Sequence, residues 1–121
     1  MSVLLVFLGG SVGAVLRYFT DRFIQARHDM VFPLGTFSVN IIGSLILGLL
    51  YGMAAHAPSW SLLLIGTGFC GALTTFSTFS FETVRLLEEG SATEAVLNLV
   101  LSLIVGIGLA TAGFAGAHLL F

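Results

Sequence analysis

The four basic and six acidic side chains of this chain fall into two short windows, with long apolar runs between and around them. The windows extend from Arg17 to Asp29 and from Glu82 to Glu94. About 20 consecutive apolar residues are enough for a helix to cross a bilayer. Each of the four runs therefore predicts one spanning helix: Val3 to about Phe23, Leu34 to Ala55, Trp60 to Leu87, and Thr93 to Phe121.

The composition fits a membrane protein better than a soluble one. Only 8% of the residues are charged, whereas soluble domains carry about 25%. Four spans occupy the whole chain, so we expect one all-α domain, residues 1–121, in a cell membrane of the bacterial plasma-membrane type. Without lysine, and with four arginines, the chain lacks the basic surface that nucleic-acid binding needs. It also lacks a catalytic triad, a carboxylate pair and a nucleotide loop, so we predict no enzyme.

The two charged windows form the first and third loops and therefore lie on one side of the membrane. The second loop, His56 to Ser59, carries neither lysine nor arginine. Because basic loops stay in the cytoplasm, this bias of four arginines against none favours cytoplasmic charged loops and external termini. Glu82 and the other glutamates of the second window are expected to be solvated there.

Small residues four positions apart mark expected packing faces between helices. They are Gly9 with Gly13, Gly48 with Gly52, and the series Gly108, Ala112 and Gly116. Membrane helices approach closely where such residues face each other. Four short helices cannot readily enclose a polar path alone, so we expect an oligomer.

The third run has its centre at Thr74, and glycines precede that centre whereas hydroxyl residues follow it. Glycine weakens a helix and threonine adds little to hold it, so a break is predicted from Gly71 to Thr75. Carbonyl groups freed at a break suit a hard cation such as Na⁺. The alternative is a continuous helix whose hydroxyls bond to carbonyls one turn earlier, and the spacing does not favour either.

Two phenylalanines, Phe76 and Phe79, lie three residues apart among these hydroxyls. Such a pair usually serves packing. However, the edge of a phenyl ring is electropositive, so ring edges beside hydroxyl donors would replace part of an anion's water shell. Because the two rings alternate with hydroxyl residues at mid-membrane, contact with an anion is favoured over packing for this pair.

Polar residues also recur within the second and fourth runs. Asn40 belongs to a stripe with Thr36 and Ser44, and Asn98 and Ser102 form a shorter pair. Polar groups within a bilayer usually face a cavity or a partner. Asn40 is therefore assigned to a pathway in preference to a bond between helices. Arg17, at the end of the first run, either recruits anions or extends its charge to the membrane surface.

Three segments together resemble the Fluc fluoride channel family, also called CrcB. They are GGSVGAVLRY (residues 9–18), GTFSVNIIGSLILG (35–48) and GFCGALTTFSTFSFE (68–82), and they occur in the order found in that family. The resemblance extends over essentially the whole chain, and the third segment is the most specific of the three.

The resemblance implies a dimer of two oppositely inserted four-helix subunits with two fluoride pores. It also implies a structural Na⁺ at the dimer centre, held by the backbone carbonyls of Gly71 and Thr74. The fourth-helix polar track of the family is present only in part, with Gly106 and Ala110 in place of further hydroxyls. The predicted fluoride pathway comprises Arg17, Asn40, Thr75, Phe76, Phe79, Asn98 and Ser102.

Fluoride, a bilayer and a second subunit are thus the predicted partners. That subunit is either a second copy or an oppositely oriented paralogue, because one sequence inserting both ways should carry little arginine bias. Two rival functions differ from the channel in what they require. A small multidrug transporter needs a carboxylate inside the first span, and Val3 to Leu16 has none. A non-conducting scaffold would explain the glycines but not the Thr/Ser/Phe run.

Overall fold

The structure, a computed structural model, describes residues 2–27 and 32–120. Four helical spans in these residues are long and apolar enough to cross a membrane, and none of the described residues forms a β-strand. The predicted all-α fold with four spans is therefore confirmed. The elements are α1 (Ser2–Arg27), α2 (Leu34–Gly52), α3 (59–73), α4 (Ser77–Glu88) and α5 (Ala92–Leu120), where α3 and α4 are the two halves of the third span.

The helices begin and end at residues that constrain the backbone. Pro33 precedes α2 and Pro58 precedes α3, where a missing N–H costs nothing. Gly90 has a φ of +81° after α4, which favours glycine. The turn closes with bonds from the N–H groups of Gly90 and Ser91 to the carbonyls of Leu87 and Leu86, at 3.2 and 2.8 Å.

Some predicted boundaries shift by a few residues. The first helix continues from the predicted end near Phe23 to Arg27, and the second ends at Gly52 rather than Ala55. Asp29 and Phe121, which bound two predicted segments, lie outside the described residues. Within α3, residues Leu62–Cys70 form wider π-helical turns.

Glycine contacts hold two pairs of helices close together. Gly9 and Gly13 of α1 lie against the backbone of α3 at Leu64 and Phe69, and Gly48 of α2 lies against Ala110 of α5. At each of these positions a Cβ atom would collide with main-chain atoms of the neighbouring helix. The predicted packing faces at Gly9 with Gly13 and at Gly48 with Gly52 are therefore confirmed.

The packing face predicted on the fourth span is wrong within the subunit. No neighbouring atom lies within 4 Å of a Cβ built at Gly108 or Gly116. Instead, Gly113 and Ala117 are buried against α2. At 100° per residue, position 108 lies on the side of the helix away from Gly113 and Ala117, the residues that face α2.

The outer surface of the subunit is strongly apolar. Helix α1 buries only Gly9 and Gly13 and exposes large side chains along its length, such as Phe7 and Phe19. Apolar surface of this extent is not stable in water. It fits contact with lipid chains or with a second membrane subunit.

Candidate functional site

The third span is interrupted at its centre by three residues, Thr74 to Phe76, that lie outside both helices. Helix α3 ends at Leu73, helix α4 begins at Ser77, and Thr74 is extended with φ −79° and ψ 159°. The break predicted from Gly71 to Thr75 is thus present, and the continuous helix is excluded. It is shifted slightly toward the hydroxyl residues, since Gly71 still begins the last turn of α3.

Asn40 supplies the hydrogen bonds that the interrupted backbone lacks. Its Nδ2 donates to the carbonyl of Thr75 at 3.1 Å, and its Oδ1 accepts from the N–H of Thr75 at 2.8 Å. Thr75 is buried, so both peptide groups would otherwise be costly to leave unpaired. Asn40 of α2 therefore binds both peptide groups of Thr75, and we call this arrangement the amide clamp.

The amide clamp changes what the neighbouring carbonyls can bind. In a continuous helix the N–H of Thr75 would donate to the carbonyl of Gly71, but here it donates to Asn40. The Gly71 carbonyl is thereby released from its helical partner. Gly71 is exposed and lines a cavity at the break, together with Thr74.

Hydroxyl groups stabilise the two helix ends at the break. Thr74 Oγ1 donates to the carbonyl of Cys70 at 2.8 Å, which completes the last turn of α3. Thr75 Oγ1 accepts from the N–H of Thr78 at 3.1 Å, which caps the first turn of α4. The Thr residues of this run therefore shape the break as well as making it polar.

Phe76 and Phe79 lie beside the break and face the same cavity. Their ring centroids are 6.1 Å apart and their planes are tilted by 48°. The Phe76 ring is 79% exposed in the single subunit, so it packs against almost nothing within its own chain. This cavity, which we call the aromatic cavity, has a volume of about 370 Å³ and is also lined by Asn40, Ser44 and Ser102.

A second, smaller cavity is also lined by Thr75. Its volume is about 140 Å³, and it is lined by Arg17, Asp21, Thr36, Val39, Thr75 and Thr78. We call it the arginine vestibule. Arg17 lines it and does not line the aromatic cavity, whereas Thr75 contributes to both. Of the predicted site residues, Thr75 is thus the one that joins Arg17 to the aromatic pair.

The two predicted residues of α5 differ in position. Ser102 lines the aromatic cavity, but Asn98 is 0% exposed and lies between helices. Asn98 Nδ2 donates to Thr83 Oγ1 at 2.8 Å, and Thr83 Oγ1 in turn donates to the carbonyl of Phe79 at 2.8 Å. Sequence reasoning missed Thr83, although its position four residues after Phe79 was a usable signal.

The expectation that Glu82 is solvated is wrong. Its side chain is only 8% exposed and is hydrogen-bonded to Thr36. Oε1 has no hydrogen-bond partner among the described residues. Position 82 lies on the inward face of α4, one turn after the hydroxyl run, so the carboxylate points into the bundle and away from the loop.

The chain is similar to one protein family and to relatives that share one name. The family model described as "CrcB-like protein, Camphor Resistance (CrcB)" matches residues 4–114. The chain is 55% identical over 115 residues to "Fluoride-specific ion channel FluC 1" of Streptomyces avermitilis, covering 93% of each protein. It is 49% identical over 125 residues to a protein of the same name from Frankia casuarinae, covering 98% of this chain and 97% of the relative. It is 47% identical over 114 residues to "Fluoride-specific ion channel FluC 2" of Rhodococcus jostii, covering 94% and 96%.

Proposed function

The chain belongs to the CrcB-like family, and we propose that it is a fluoride-selective passive ion channel of the cell membrane. Fluoride would leave the cytoplasm through it, which would lower the toxicity of the ion to the cell. The observation that carries this proposal is the break at the centre of the third span. Beside it, in an apolar bundle, lies a cavity lined by two phenyl rings and by a few polar side chains such as Asn40. The identity of the ion, fluoride, is taken from the names of the relatives.

The chemistry of the aromatic cavity suits a small anion that accepts strong hydrogen bonds. Asn40 uses one Nδ2 hydrogen in the amide clamp, which leaves the other for a ligand in the cavity. The rings of Phe76 and Phe79 add electropositive edges. Ser102 lines the same cavity, but its hydroxyl donates its one hydrogen to Asn98. Selectivity would arise from a narrow path and from donor geometry, as in other filters.

The path proposed for fluoride runs from the arginine vestibule past Thr75 to the aromatic cavity. Arg17 would attract anions into the vestibule, and the hydroxyl of Thr75 would contact them between the two cavities. Transport requires no energy source in this scheme, because a negative-inside potential drives anions outward. In a subunit whose charged loops lie in the cytoplasm, the arginine vestibule is at the cytoplasmic end of this path.

We expect purified protein in liposomes to release trapped fluoride rapidly and to retain chloride. Fluoride and chloride electrodes in the same suspension give both rates from one preparation. Empty liposomes supply the baseline, and detergent at the end of the trace gives the total trapped ion. Fluoride release no faster than this baseline would contradict the channel function, and equal release of both halides would contradict selectivity.

A dimer is part of the proposal because the site is incomplete in one subunit. The Phe76 ring is 79% exposed and the aromatic cavity is open on that side. A second, oppositely inserted subunit would cover both, and it is either a second copy or a paralogue. External labelling of Ala55→Cys, an exposed loop position, separates these cases. A dual-topology homodimer predicts labelling of about half of the chains, and a single orientation predicts all or none.

The released carbonyls fit the structural Na⁺ expected at the dimer centre. Carbonyl oxygen is the ligand type that transporters use for small cations at broken helices, and the amide clamp frees the Gly71 carbonyl at the cavity. Gly71 and Thr74 would hold the cation. When bound, it would supply a fixed positive charge that joins the two subunits and is not transported.

Removal of Na⁺ should lower the fluoride flux. Replacing all sodium by a bulky organic cation at equal ionic strength leaves the carbonyls without a bound cation, which should weaken the dimer centre. Fluoride efflux and the fraction of dimer in detergent are measured in parallel, and restoring Na⁺ should restore both. If flux and dimer fraction are the same in both buffers, the cation site is refuted.

A further inference from the structure

Asn98 is the most completely buried polar side chain described in this subunit. It is 0% exposed, and neither cavity at the break includes it among its lining residues. Its Nδ2 donates to Thr83 at 2.8 Å, and its Oδ1 accepts from Ser102 at 3.4 Å. Both ends of the amide are therefore bonded to protein, and an ion in the aromatic cavity cannot reach it without rearrangement of the bundle.

Thr83 links this amide to the aromatic pair. Its hydroxyl accepts from Asn98 and donates to the carbonyl of Phe79 at 2.8 Å. A hydroxyl has one hydrogen to donate, and the bond from Asn98 leaves that hydrogen directed at the Phe79 carbonyl. The first turns of α4, which carry Phe79, are thereby tied to α5 through one continuous chain of hydrogen bonds.

We propose that Asn98, acting through Thr83, is a positioning residue that fixes Phe79 in the aromatic cavity and does not contact the conducted ion. This inference rests on the proposed channel function. It assigns a function to Thr83, which the sequence analysis had not singled out, and it removes Asn98 from the predicted ion path. Asn40 holds the backbone just before Phe76, so the two asparagines hold the aromatic segment at its two ends.

The geometry explains why such a tie is needed. Helix α4 begins at Ser77 after three non-helical residues, so its first turns lack the support of a preceding helix. The angle of an aromatic ring relative to an anion path depends on the backbone that carries it. Bonds within a network of buried polar groups restrict that backbone more than isolated bonds do.

The test is a set of variants at positions 83 and 98, compared by unitary fluoride current in planar bilayers. Thr83→Val keeps the shape of the side chain and removes the hydroxyl, whereas Thr83→Ser keeps the hydroxyl. We expect Thr83→Val and Asn98→Leu each to lower the unitary current about tenfold. Their double variant should be no worse than either single one, since both break the same chain. Thr83→Ser should remain near the wild-type current.

The unitary current separates positioning from a general loss of stability, which reduces the number of active channels and leaves the current of each unchanged. Thr93→Val, the same change at an exposed position of α5, is the matched control. The proposal is overturned if Thr83→Val conducts like wild type while Asn98→Leu does not, since Asn98 would then act on the ion directly. Additive losses in the double variant would also overturn it.

A readout without ion flux keeps the inference separate from the channel function. With 4-fluorophenylalanine incorporated at position 79, the ¹⁹F resonance reports the surroundings of that ring. We expect the resonance to shift or broaden in Thr83→Val and Asn98→Leu, but not in Thr83→Ser or Thr93→Val. An unchanged resonance in the first two variants refutes positioning even in a protein that conducts no fluoride.

Discussion

Replacing either pore phenylalanine by isoleucine should reduce fluoride flux by about 100-fold, equivalent to about 2.7 kcal/mol in the barrier. Isoleucine keeps an apolar side chain of comparable bulk but has no electropositive ring edge. Because Phe76 is 79% exposed in the subunit and lies 6.1 Å from Phe79, its ring contributes little to packing within the chain. We therefore expect both variants to be expressed and assembled: Phe76→Ile because the ring packs little within the chain, and Phe79→Ile, at a half-buried position, because isoleucine replaces most of the lost volume.

The matched control is Phe81→Ile, the same change on the same helix. Phe81 is exposed and lines neither cavity at the break. Liposome efflux gives the flux, and size-exclusion chromatography in detergent gives the assembly state. The function assigned to the rings fails if both pore variants conduct at the wild-type rate, or if Phe81→Ile reduces flux to the same extent.

Asn40→Leu should abolish fluoride flux and destabilise the fold by about 2–4 kcal/mol. The change leaves the N–H and the carbonyl of buried Thr75 without the bonds of 2.8 and 3.1 Å, respectively, that Asn40 makes. The bundle then has two options, to leave both groups unpaired or to rebuild the helix. Either outcome moves the rings and removes an amide donor from the aromatic cavity. Thermal unfolding in detergent measures the stability, and efflux measures the flux.

Two further variants sharpen this test. Protonated Asn40→Asp can still accept from the Thr75 N–H and donate to its carbonyl, whereas the ionised form places a charge against that carbonyl. The stability of this variant should therefore fall as the pH rises. Ser11→Leu makes the same polar-to-leucine change on the exposed surface of α1 and should leave both stability and flux unchanged. An Asn40→Leu protein as stable as wild type would show that the amide clamp is not needed to hold the break.

The sequence was sufficient to predict the spans and the break because both depend on local chemistry. Charged residues cannot lie in lipid without compensation, so the windows at Arg17 to Asp29 and Glu82 to Glu94 divided the chain into four spans. Glycine before Thr74 and hydroxyl residues after it weaken a helix whatever surrounds them. The break is accordingly found within one or two residues of the predicted place.

Features that depend on contacts between helices could not be predicted from the sequence. Beyond Ser102, helix α5 has apolar or small residues on nearly all sides, so the inward face of this part could not be inferred from periodicity. The packing face was therefore placed on Gly108 instead of Gly113. The same limit applies to Glu82, which lies close to the loop in sequence but points into the bundle. Likewise, the identity of Thr75 as the partner of Asn40 requires knowing how α2 meets the break.

The polar path depends on an interrupted third span held by Asn40, and solid-state NMR of labelled protein in lipid bilayers tests this most directly. The ¹³C secondary shifts of Thr74 report its backbone conformation, and a ¹⁵N–¹³C contact reports the bond from the Asn40 amide to the Thr75 carbonyl. We predict an extended Thr74, as its ψ of 159° requires, together with that contact. Helical shifts continuing from residue 73 to residue 77, with no such contact, would contradict the break and the path built on it.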